Sequence, residues 1–222
     1  MKKIIVTIIS GLFLCSTYAS AEIGVNIGVS GSVGIFGATA KETLSSDSGA
    51  RAGNTASDTE IAAIGYGSVF IEKELGMFSI GVDYVPTPFE SDSVETRKMD
   101  QQTENSAAVS SVENKVQVDL EDLYSVYVAM SVTDNSYVKA GITSVDVITN
   151  ENMGTGAAYG NTSLDGTLIG FGMHNELDSG FFWRLEGVYM NFDSASLTSG
   201  DNTINIKSLD GVNGTLSIGK SF

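Results

Sequence analysis

The sequence predicts an all-β fold, an eight-stranded antiparallel up-and-down β-barrel that is closed by pairing of its first and last strands. Three observations predict it. Segments in which apolar residues alternate with small polar ones recur along the chain, as in strands whose two faces have different surroundings. The connections between these segments are alternately long and short. The last segment runs to the final residue, so its edge has no tail to cover it and must be paired.

Residues 1–21 are predicted to be a cleaved signal peptide. Met1–Lys3 is positively charged, an apolar run follows over 4–14, and Ala19–Ala21 supplies a small-residue cleavage site. The apolar run is too short to span a membrane as a helix. Cys15 follows a bulky leucine where a lipoprotein signal needs a small residue, so Cys15 is expected to leave with the signal peptide. Residues 22–222 are then predicted to form one barrel domain.

The charge balance and the cysteine count exclude several classes of protein. The chain has 12 Lys and Arg against 27 Asp and Glu, a formal net charge of −15. Loss of Lys2 and Lys3 with the signal peptide, and of no acid, brings the mature charge to about −17, which argues against nucleic acid as a partner. The mature chain would have no cysteine and one histidine, so neither a disulfide framework nor a soft metal cluster is predicted.

Eight segments carry the alternation of a strand. The first is the cleanest, because Ile23, Val25, Ile27 and Val29 alternate with small polar residues. In the second, glycines interrupt the pattern and leave the facing of its side chains open. Two prolines at 86 and 88 end the third, since proline cannot donate a ladder hydrogen bond. The predicted strands are 22–37, 61–73, 78–84, 124–131, 138–148, 169–174, 183–190 and 204–222.

Long and short connections alternate in the predicted order of strands. Loops follow strands 1, 3, 5 and 7, over 41–58, 89–116, 149–163 and 193–202, whereas tight turns at 74–78, 133–136 and 177–180 follow strands 2, 4 and 6. Transmembrane barrels have this asymmetry, with short periplasmic turns and long outward loops. An even number of strands also places both termini on the periplasmic side.

The long loops are acidic, which raises the question of calcium. Asp193 with Asp201 and Asn202, or Asp47 with Asp58, are conceivable oxygen ligands. Their spacing matches no defined calcium loop, so solvated hydrophilic loops are the prediction and no metal site is assigned.

Charged residues inside the strands indicate which face points outward. Asp83, Lys139, Arg184 and Glu186 lie on the face opposite the aliphatic residues. An eight-stranded barrel has an interior just wide enough to be filled by side chains. A soluble barrel would turn these charges to water, whereas a membrane barrel would pair them inside, where a lone charge is costly.

Aromatic residues favour the membrane barrel. They lie on the aliphatic face near both ends of the strands, as two interfacial girdles require. Phe78, Trp183 and Phe222 are at the turn ends, and Tyr84, Tyr124 and Tyr189 are towards the loop ends. We therefore predict a transmembrane barrel with its aliphatic residues in lipid and a lumen charge network of Asp83, Lys139, Arg184 and Glu186, with Glu121 or Glu72 as a further member.

Several strands resemble those of a known family. The ending Ile218–Phe222 resembles the terminal strand of Gram-negative outer-membrane β-barrels, although Lys220 stands where that family usually has an aromatic or aliphatic residue. The segments 81–84, 137–141 and 184–189 resemble strands of the small outer-membrane barrels that include opacity-protein-like surface antigens and OmpA-type barrels. This resemblance implies a location in the cell outer membrane and makes Phe222 the signal read by the barrel-assembly machinery. Lys220 is expected to reach the membrane interface.

No catalytic, cofactor-binding or metal-binding residue is predicted, so the chain is not expected to be an enzyme. The only histidine, His174, faces the lumen near the turn end, where a polar filler is the simplest interpretation. The glycines of Gly28–Gly34 lie within a strand and precede no helix, so they are read as room for bulky lumen neighbours or for barrel curvature and not as a phosphate loop.

The sequence thus predicts a non-enzymatic, monomeric outer-membrane barrel that displays acidic extracellular loops in an envelope-structural or surface-interaction role such as adhesion or recognition. Its expected partners are outer-membrane lipid, the assembly machinery and a surface ligand that the sequence does not identify. The alternative is a small porin-like channel in which the lumen charges form a gate. A static plug is favoured because so narrow a lumen leaves little room for water.

Overall fold

A computed structural model describes residues 24–43, 55–90, 94–100, 110–153, 159–199 and 202–222. Within these ranges every regular element is a β-strand. A search of the same residues for a helix of sufficient length and apolar character to cross a membrane finds none. The predicted signal peptide, 1–21, lies outside the described residues.

Eleven strands belong to one sheet. They are β1 (Val25–Thr43), β2 (Thr55–Leu75), β3 (Phe78–Tyr84), β4 (Phe89–Glu90), β5 (Val94–Asp100), β6 (Ser110–Thr133), β7 (Ser136–Met153), β8 (Thr162–Glu176), β9 (Phe181–Phe192), β10 (Ala195–Ser199) and β11 (Asn202–Ser221).

Across the described ranges, eight of these strands form a closed antiparallel ring in the order β1, β2, β3, β6, β7, β8, β9 and β11. The ring closes where β1 pairs with β11, from Asn26 opposite Ser221 to Thr43 opposite Thr203. β4 and β5 pair with β6, and β10 pairs with the first residues of β11. The predicted eight-stranded up-and-down barrel, closed by its first and last strands, is confirmed.

Short turns gather at one end of the barrel, which we call the turn end; the opposite end is the loop end. The turns join β2 to β3, β6 to β7 and β8 to β9. Gly76 and Gly180 in two of them have φ values of 70° and 78°. Glycine has no Cβ and adopts this left-handed conformation without strain, so both turns can be tight.

All four predicted loops are wrong over part of their length, because paired strands occupy it; in 41–58, for example, the end of β1 pairs with the start of β2. In the segment 89–116, β5 pairs with β6 from Val94 opposite Val116 to Asp100 opposite Ser110. β7 continues to Met153, and β10 pairs with β11 inside 193–202. Polar residues stand at both parities in these ribbons, so the apolar alternation that marks a strand is missing. The backbone ladder forms without it.

A β-bulge in β6 also hid part of that strand from sequence reasoning. The register with β7 shifts between Glu121 and Tyr124, and Asp122 has a φ of 49°. The extra residue moves the inward parity from Val118 and Leu120 to Leu123 and the odd-numbered residues after it. The pattern therefore changes phase at 122, and an unbroken period of two could be followed only from Tyr124 onward.

The two faces of the barrel wall are chemically distinct, as predicted. Ile169 is 62% exposed on the outside, whereas its neighbour Leu168 is 3% exposed on the inside. The same alternation resolves strand β2, whose facing the sequence left open: Phe70 and Glu72 point inward, and Val69 points outward. Large apolar side chains are thus exposed on the outer wall of most strands of the ring.

The interior is divided along the barrel axis, which the sequence analysis did not predict. Near the turn end most of the inward side chains are polar or charged, and the buried rings of Phe70 and Phe182 lie among them. Towards the loop end they are apolar and form one packed cluster, here called the loop-end core, which includes Phe36, Val85, Leu123, Val145, Val147, Leu164, Leu168, Val188, Met190, Phe192 and Leu209. On β8, β9 and β11 the outer wall beside this cluster carries Asp165, Asn191 and Asp210, so on these strands the outside becomes polar where the inside becomes apolar, whereas on β1 and β2 it stays apolar at Ile35 and Ile61.

Candidate functional site

Five charged side chains point into the turn-end half of the barrel, and we call them the lumen charge cluster. They are Glu72 on β2, Asp83 on β3, Lys139 on β7, and Arg184 and Glu186 on β9. Each stands at the inward parity of its strand, so the period of two alone brings four strands' side chains to a common interior. All four residues that the sequence assigned to the lumen are among them.

Arg184 and Glu72 form a bidentate ion pair across the barrel. Arg184 Nη1 lies 2.9 Å from Glu72 Oε2, and Nη2 lies 2.8 Å from Oε1. The two side chains are 12% and 4% exposed. Tyr127 Oη and Asn26 Nδ2 donate to the same carboxylate over 3.1 and 3.2 Å. Four donors at one carboxylate compensate for much of the cost of removing its charge from water.

A second ion pair joins Lys139 to Glu186. Lys139 Nζ lies 2.7 Å from Glu186 Oε1, and the side chains are 12% and 9% exposed. Tyr137 donates its hydroxyl to the same oxygen of Glu186 over 2.8 Å. The lysine therefore has a carboxylate partner that is itself held in place by a neighbour on β7.

Two tyrosines link the ion pairs into one cluster. Tyr127 donates to Glu72 while its ring centre lies 4.8 Å from Lys139 Nζ. Tyr137 donates to Glu186 while its ring centre lies 5.7 Å from the guanidinium carbon of Arg184. Each tyrosine thus contacts an acid of one pair and the cation of the other, an arrangement that combines hydrogen bonding with cation–π attraction.

Glycines on the adjacent strands make room for these two rings. Gly81 is the register partner of Tyr127, and Gly172 is the register partner of Tyr137. A Cβ at either glycine would overlap the ring of the tyrosine opposite. The sequence analysis assigned such a role only to Gly28–Gly34; there, a Cβ at Gly28 would overlap Phe70, whereas Gly31 faces open space.

Asp83 belongs to the cluster without forming an ion pair. It accepts a hydrogen bond from Ser68 Oγ over 2.9 Å, and no lysine or arginine of the described residues lies within 4.0 Å of it. The cluster therefore contains three acids and two bases. Of the two acids offered as further members, Glu72 is the one in the cluster, whereas Glu121 is exposed on the outer wall beside the bulge.

Aromatic side chains surround the guanidinium of Arg184. Its central carbon lies 4.6 Å from the ring centre of Phe182 and 5.4 Å from that of Phe70. Among the residues that the structure describes, its Nε finds no hydrogen-bond partner. These aromatic neighbours and the tyrosine partners were missed by sequence reasoning, although the inward parity of Tyr127, Tyr137 and Phe182 on β6, β7 and β9 was a signal that could have found three of them.

Small hydroxyl side chains fill the interior along the seam between β1 and β11. Ser30 Oγ lies 2.9 Å from Ser217 Oγ, and Ser32 Oγ lies 2.8 Å from Thr215 Oγ1. All four residues are buried. The seam that closes the barrel is thus held by side-chain hydrogen bonds inside as well as by its backbone ladder.

A cavity of about 470 Å3 lies in the lumen at the turn end and reaches the Arg184–Glu72 pair. His174 lines it, half-buried, with its ring centre 5.9 Å from that of Tyr137. Glu74, Asp134 and Glu176 also line it. In the part of the chain that the structure describes, no group of three or more metal-ligating side chains is found. Of the loop acids considered for calcium, Asp47 and Asp201 lie outside the described residues.

Phe222 completes the seam at the turn end. Its N–H donates to the carbonyl of Val25 over 2.9 Å, and the N–H of Val25 donates to the carbonyl of Phe222 over 3.2 Å. Its ring is 50% exposed on the outer wall. The role of Phe222 as an assembly signal remains a prediction from the family resemblance.

The cluster has the chemistry of buried, mutually compensated charges. It ties β2, β6, β7 and β9 together through the interior. The loop-end core then stands above it, so a path along the axis would also have to cross packed apolar side chains.

Comparison with known proteins gives matches in fold only. No family model and no curated protein matches the sequence. The similar solved structures are Gram-negative outer-membrane β-barrels. They include the Escherichia coli outer membrane protease OmpT, at 9% identity over 93% of this chain and all of that chain, with a TM-score of 0.47. The attachment invasion locus protein Ail of Yersinia pestis matches at 11% identity over 87% of this chain and 98% of its own, with a TM-score of 0.33. The translocator domain of the autotransporter NalP from Neisseria meningitidis matches at 9% identity over 100% and 96%, with a TM-score of 0.34.

Proposed function

We propose that this chain is a non-enzymatic outer-membrane barrel that acts as a filled, rigid anchor and presents the acidic ribbons of its loop end at the cell surface. The ribbons would provide an envelope-structural or surface-interaction role such as adhesion or recognition. The observation that carries the proposal is the distribution of side chains in the turn-end half, where aliphatic residues cover the outside and paired charges are enclosed.

Hydrocarbon is the surrounding that suits this outer wall. Ile142, Ile169 and Ile218 are each at least 60% exposed, and similar side chains recur on the neighbouring strands. In water, a continuous apolar band around a barrel would be a strong aggregation surface. Phe78 and Trp183 near the turns and Tyr84 and Tyr189 near the loop end border the band, as interfacial girdles do.

The filled interior favours an anchor over a channel. The cavity at the turn end reaches only as far as the Arg184–Glu72 pair, the two ion pairs and their tyrosines occupy the interior there, and the loop-end core occupies the other half. His174, the only histidine in the sequence, lies at the turn end and not beside the exposed ribbons, which supports the non-enzymatic assignment.

Surface display is tested by epitope insertion in whole cells. A short epitope placed between Asn105 and Ser106, in the segment that joins β5 to β6, is expected to bind antibody on intact cells. The matched control places the same epitope after Ser179, in the turn between β8 and β9, where binding should require a permeabilised outer membrane. The reverse pattern would overturn the proposed orientation, and labelling of neither after permeabilisation and heating would indicate loss of the protein.

The channel alternative is tested in planar bilayers. Purified barrel whose folded state is established by heat-modifiable migration on gels is expected to give no conductance steps. Steps in the wild type that change in Arg184→Ala would identify the cluster as a gate and contradict the anchor.

A further inference from the structure

Lys220 is one of two lysines at outward positions near the turn end of the barrel, the other being Lys73 on β2. It stands on β11 with Ile27 of β1 opposite on one side and Phe181 of β9 opposite on the other. Its parity is that of Ile218 and Phe222, both of which point outward. A lysine at this place requires a reason, because every other outward position nearby on β11 is apolar or glycine.

The ammonium of Lys220 is held between two aromatic rings. Its Nζ lies 5.3 Å from the ring centre of Phe181 and 5.3 Å from that of Phe222. The two rings are 54% and 50% exposed, so they flank the cation and leave its outer side open. Within the described residues, Lys220 takes part in no ion pair.

This arrangement has the features of a site for an anionic headgroup. The rings would lie at the boundary between hydrocarbon and headgroups, where aromatic residues collect, and the lysine stem would pass along them while its charge reaches the phosphates. A lysine carries three donors and no acceptor, so the group it can bind there is an anion.

We propose that Lys220, Phe181 and Phe222 form a binding site for the phosphate headgroup of an anionic phospholipid in the inner leaflet of the membrane that surrounds the barrel. This inference rests on the proposed membrane location. It adds that the barrel binds anionic phospholipid preferentially where β9, β11 and β1 adjoin. Lys220 of the terminal strand is the residue responsible for this preference.

The only tryptophan of the chain reports on this site. Trp183 is 45% exposed on the outer wall, lies opposite Ile218, and is two residues from Phe181 on the same strand. Quenching of Trp183 fluorescence by brominated acyl chains therefore measures which lipids occupy the adjacent surface. The barrel is reconstituted in mixed vesicles in which either phosphatidylglycerol or phosphatidylcholine is brominated, and the ratio of the two quenching efficiencies gives their relative affinity.

Wild-type barrel is expected to prefer phosphatidylglycerol by about fivefold, the factor that one lysine near a membrane surface contributes. In Lys220→Gln the ratio should fall to about 1, and in Lys220→Arg the preference should remain. Lys207→Gln is the matched control, because Lys207 is exposed at the other end of the same strand and its loss should leave the ratio unchanged.

The outcomes separate the two levels of the proposal. Strong quenching by both brominated lipids, with a wild-type ratio near 1 or an unchanged ratio in Lys220→Gln, would overturn the headgroup site and leave the membrane location intact. Absence of quenching by either lipid, in barrel whose heat-modifiable migration shows it to be folded, would overturn the membrane location itself. Addition of inorganic phosphate alone should change the quenching ratio of the wild type, and that of Lys220→Gln, by no more than its ionic strength does.

Discussion

The two halves of the barrel differ in which side chains they place inside the wall and which they place outside it. In the turn-end half, charges and tyrosines are inside and aliphatic side chains are outside. On β8 and β9 of the loop-end half, Leu164 and Phe192 are inside while Asp165 and Asn191 are outside. The exchange of polar and apolar faces along β8 and β9 is the one expected of a wall whose surroundings change along its length, as the proposed membrane location requires.

The exchange has an energetic reason. On the proposed membrane location, the outer face of the turn-end half meets hydrocarbon, so the polar groups at that level must find partners with one another in the interior. Where the outer face meets water, the apolar side chains gain most by packing together inside. The loop-end half therefore resembles the core of a soluble barrel placed on top of a membrane barrel.

The largest expected effect follows from loss of the buried Arg184–Glu72 ion pair in the turn-end half. Arg184→Met leaves Glu72 buried with no cation, and removal of one member of a buried pair costs about 3–5 kcal/mol. The free energy of unfolding in vesicles, measured by urea titration, should fall by that amount.

The double variant Glu72→Leu with Arg184→Met supplies its control. Both charges are then gone, so stability should recover well above that of Arg184→Met alone. A double variant whose loss of stability relative to the wild type equals the sum of the losses of Glu72→Leu and Arg184→Met would contradict the pairing.

The apolar half should respond as a soluble core does. Leu164 is 2% exposed within the loop-end core, and Leu164→Ala should lower the free energy of unfolding by about 2–5 kcal/mol. Leu185, 54% exposed on the outer wall, is the matched leucine in the other half, and its replacement by alanine should cost less because lipid chains fill the space. Equal losses at both positions would remove the distinction between the halves.

A smaller loss of stability is expected at Gly172, which has no side chain and so leaves room for the ring of Tyr137. Gly172→Ala places a methyl group against the Tyr137 ring, and such overpacking costs about 1–3 kcal/mol. Gly187 on the next strand has nothing within 4 Å of its Cβ position, so Gly187→Ala should leave stability unchanged or raise it. The same urea titration compares them, and a larger loss in Gly187→Ala would be the contrary result.

The smallest effect is expected on the outer wall at the boundary between the halves. Tyr189 donates its hydroxyl to Asp210 over 3.0 Å, and both groups are accessible to solvent. Tyr189→Phe should lower the free energy of unfolding by at most about 1 kcal/mol. A loss of several kcal/mol in the urea titration would mean that this boundary is buried in something other than water and headgroups.

The barrel could be predicted from the sequence because the patterns that indicate it lie within single segments of the chain. Alternation in β1 and the short turns at 134 and 177–180 are legible in single segments, and the inward parity of Arg184 and Glu186 follows from the alternation of β9. The closing pair of strands was also accessible, since an unpaired terminal edge has few alternatives.

The remainder depended on contacts between distant strands. Glu72 lies 112 residues from Arg184, and the glycine interruptions of β2 concealed that it faces inward. The loop-end core was missed because the same alternation continues past Tyr189 while the polar and apolar faces exchange places, as at Met190 and Phe192. The bulge at Asp122 changed the phase of β6, and the outer ribbons carry no apolar contrast at all.

One strand crosses both halves and tests the division directly. Residues 22–222 contain no cysteine, so Leu185→Cys, Gly187→Cys, Asn191→Cys and Asp193→Cys each give a single labelling site, spaced along the outer wall of β9 and just beyond its end. A polarity-sensitive fluorophore on the refolded barrel in vesicles should emit as in hydrocarbon at 185 and 187 and as in water at 191 and 193. Water-like emission at 185 and 187, or hydrocarbon-like emission at 191 and 193, would contradict the account.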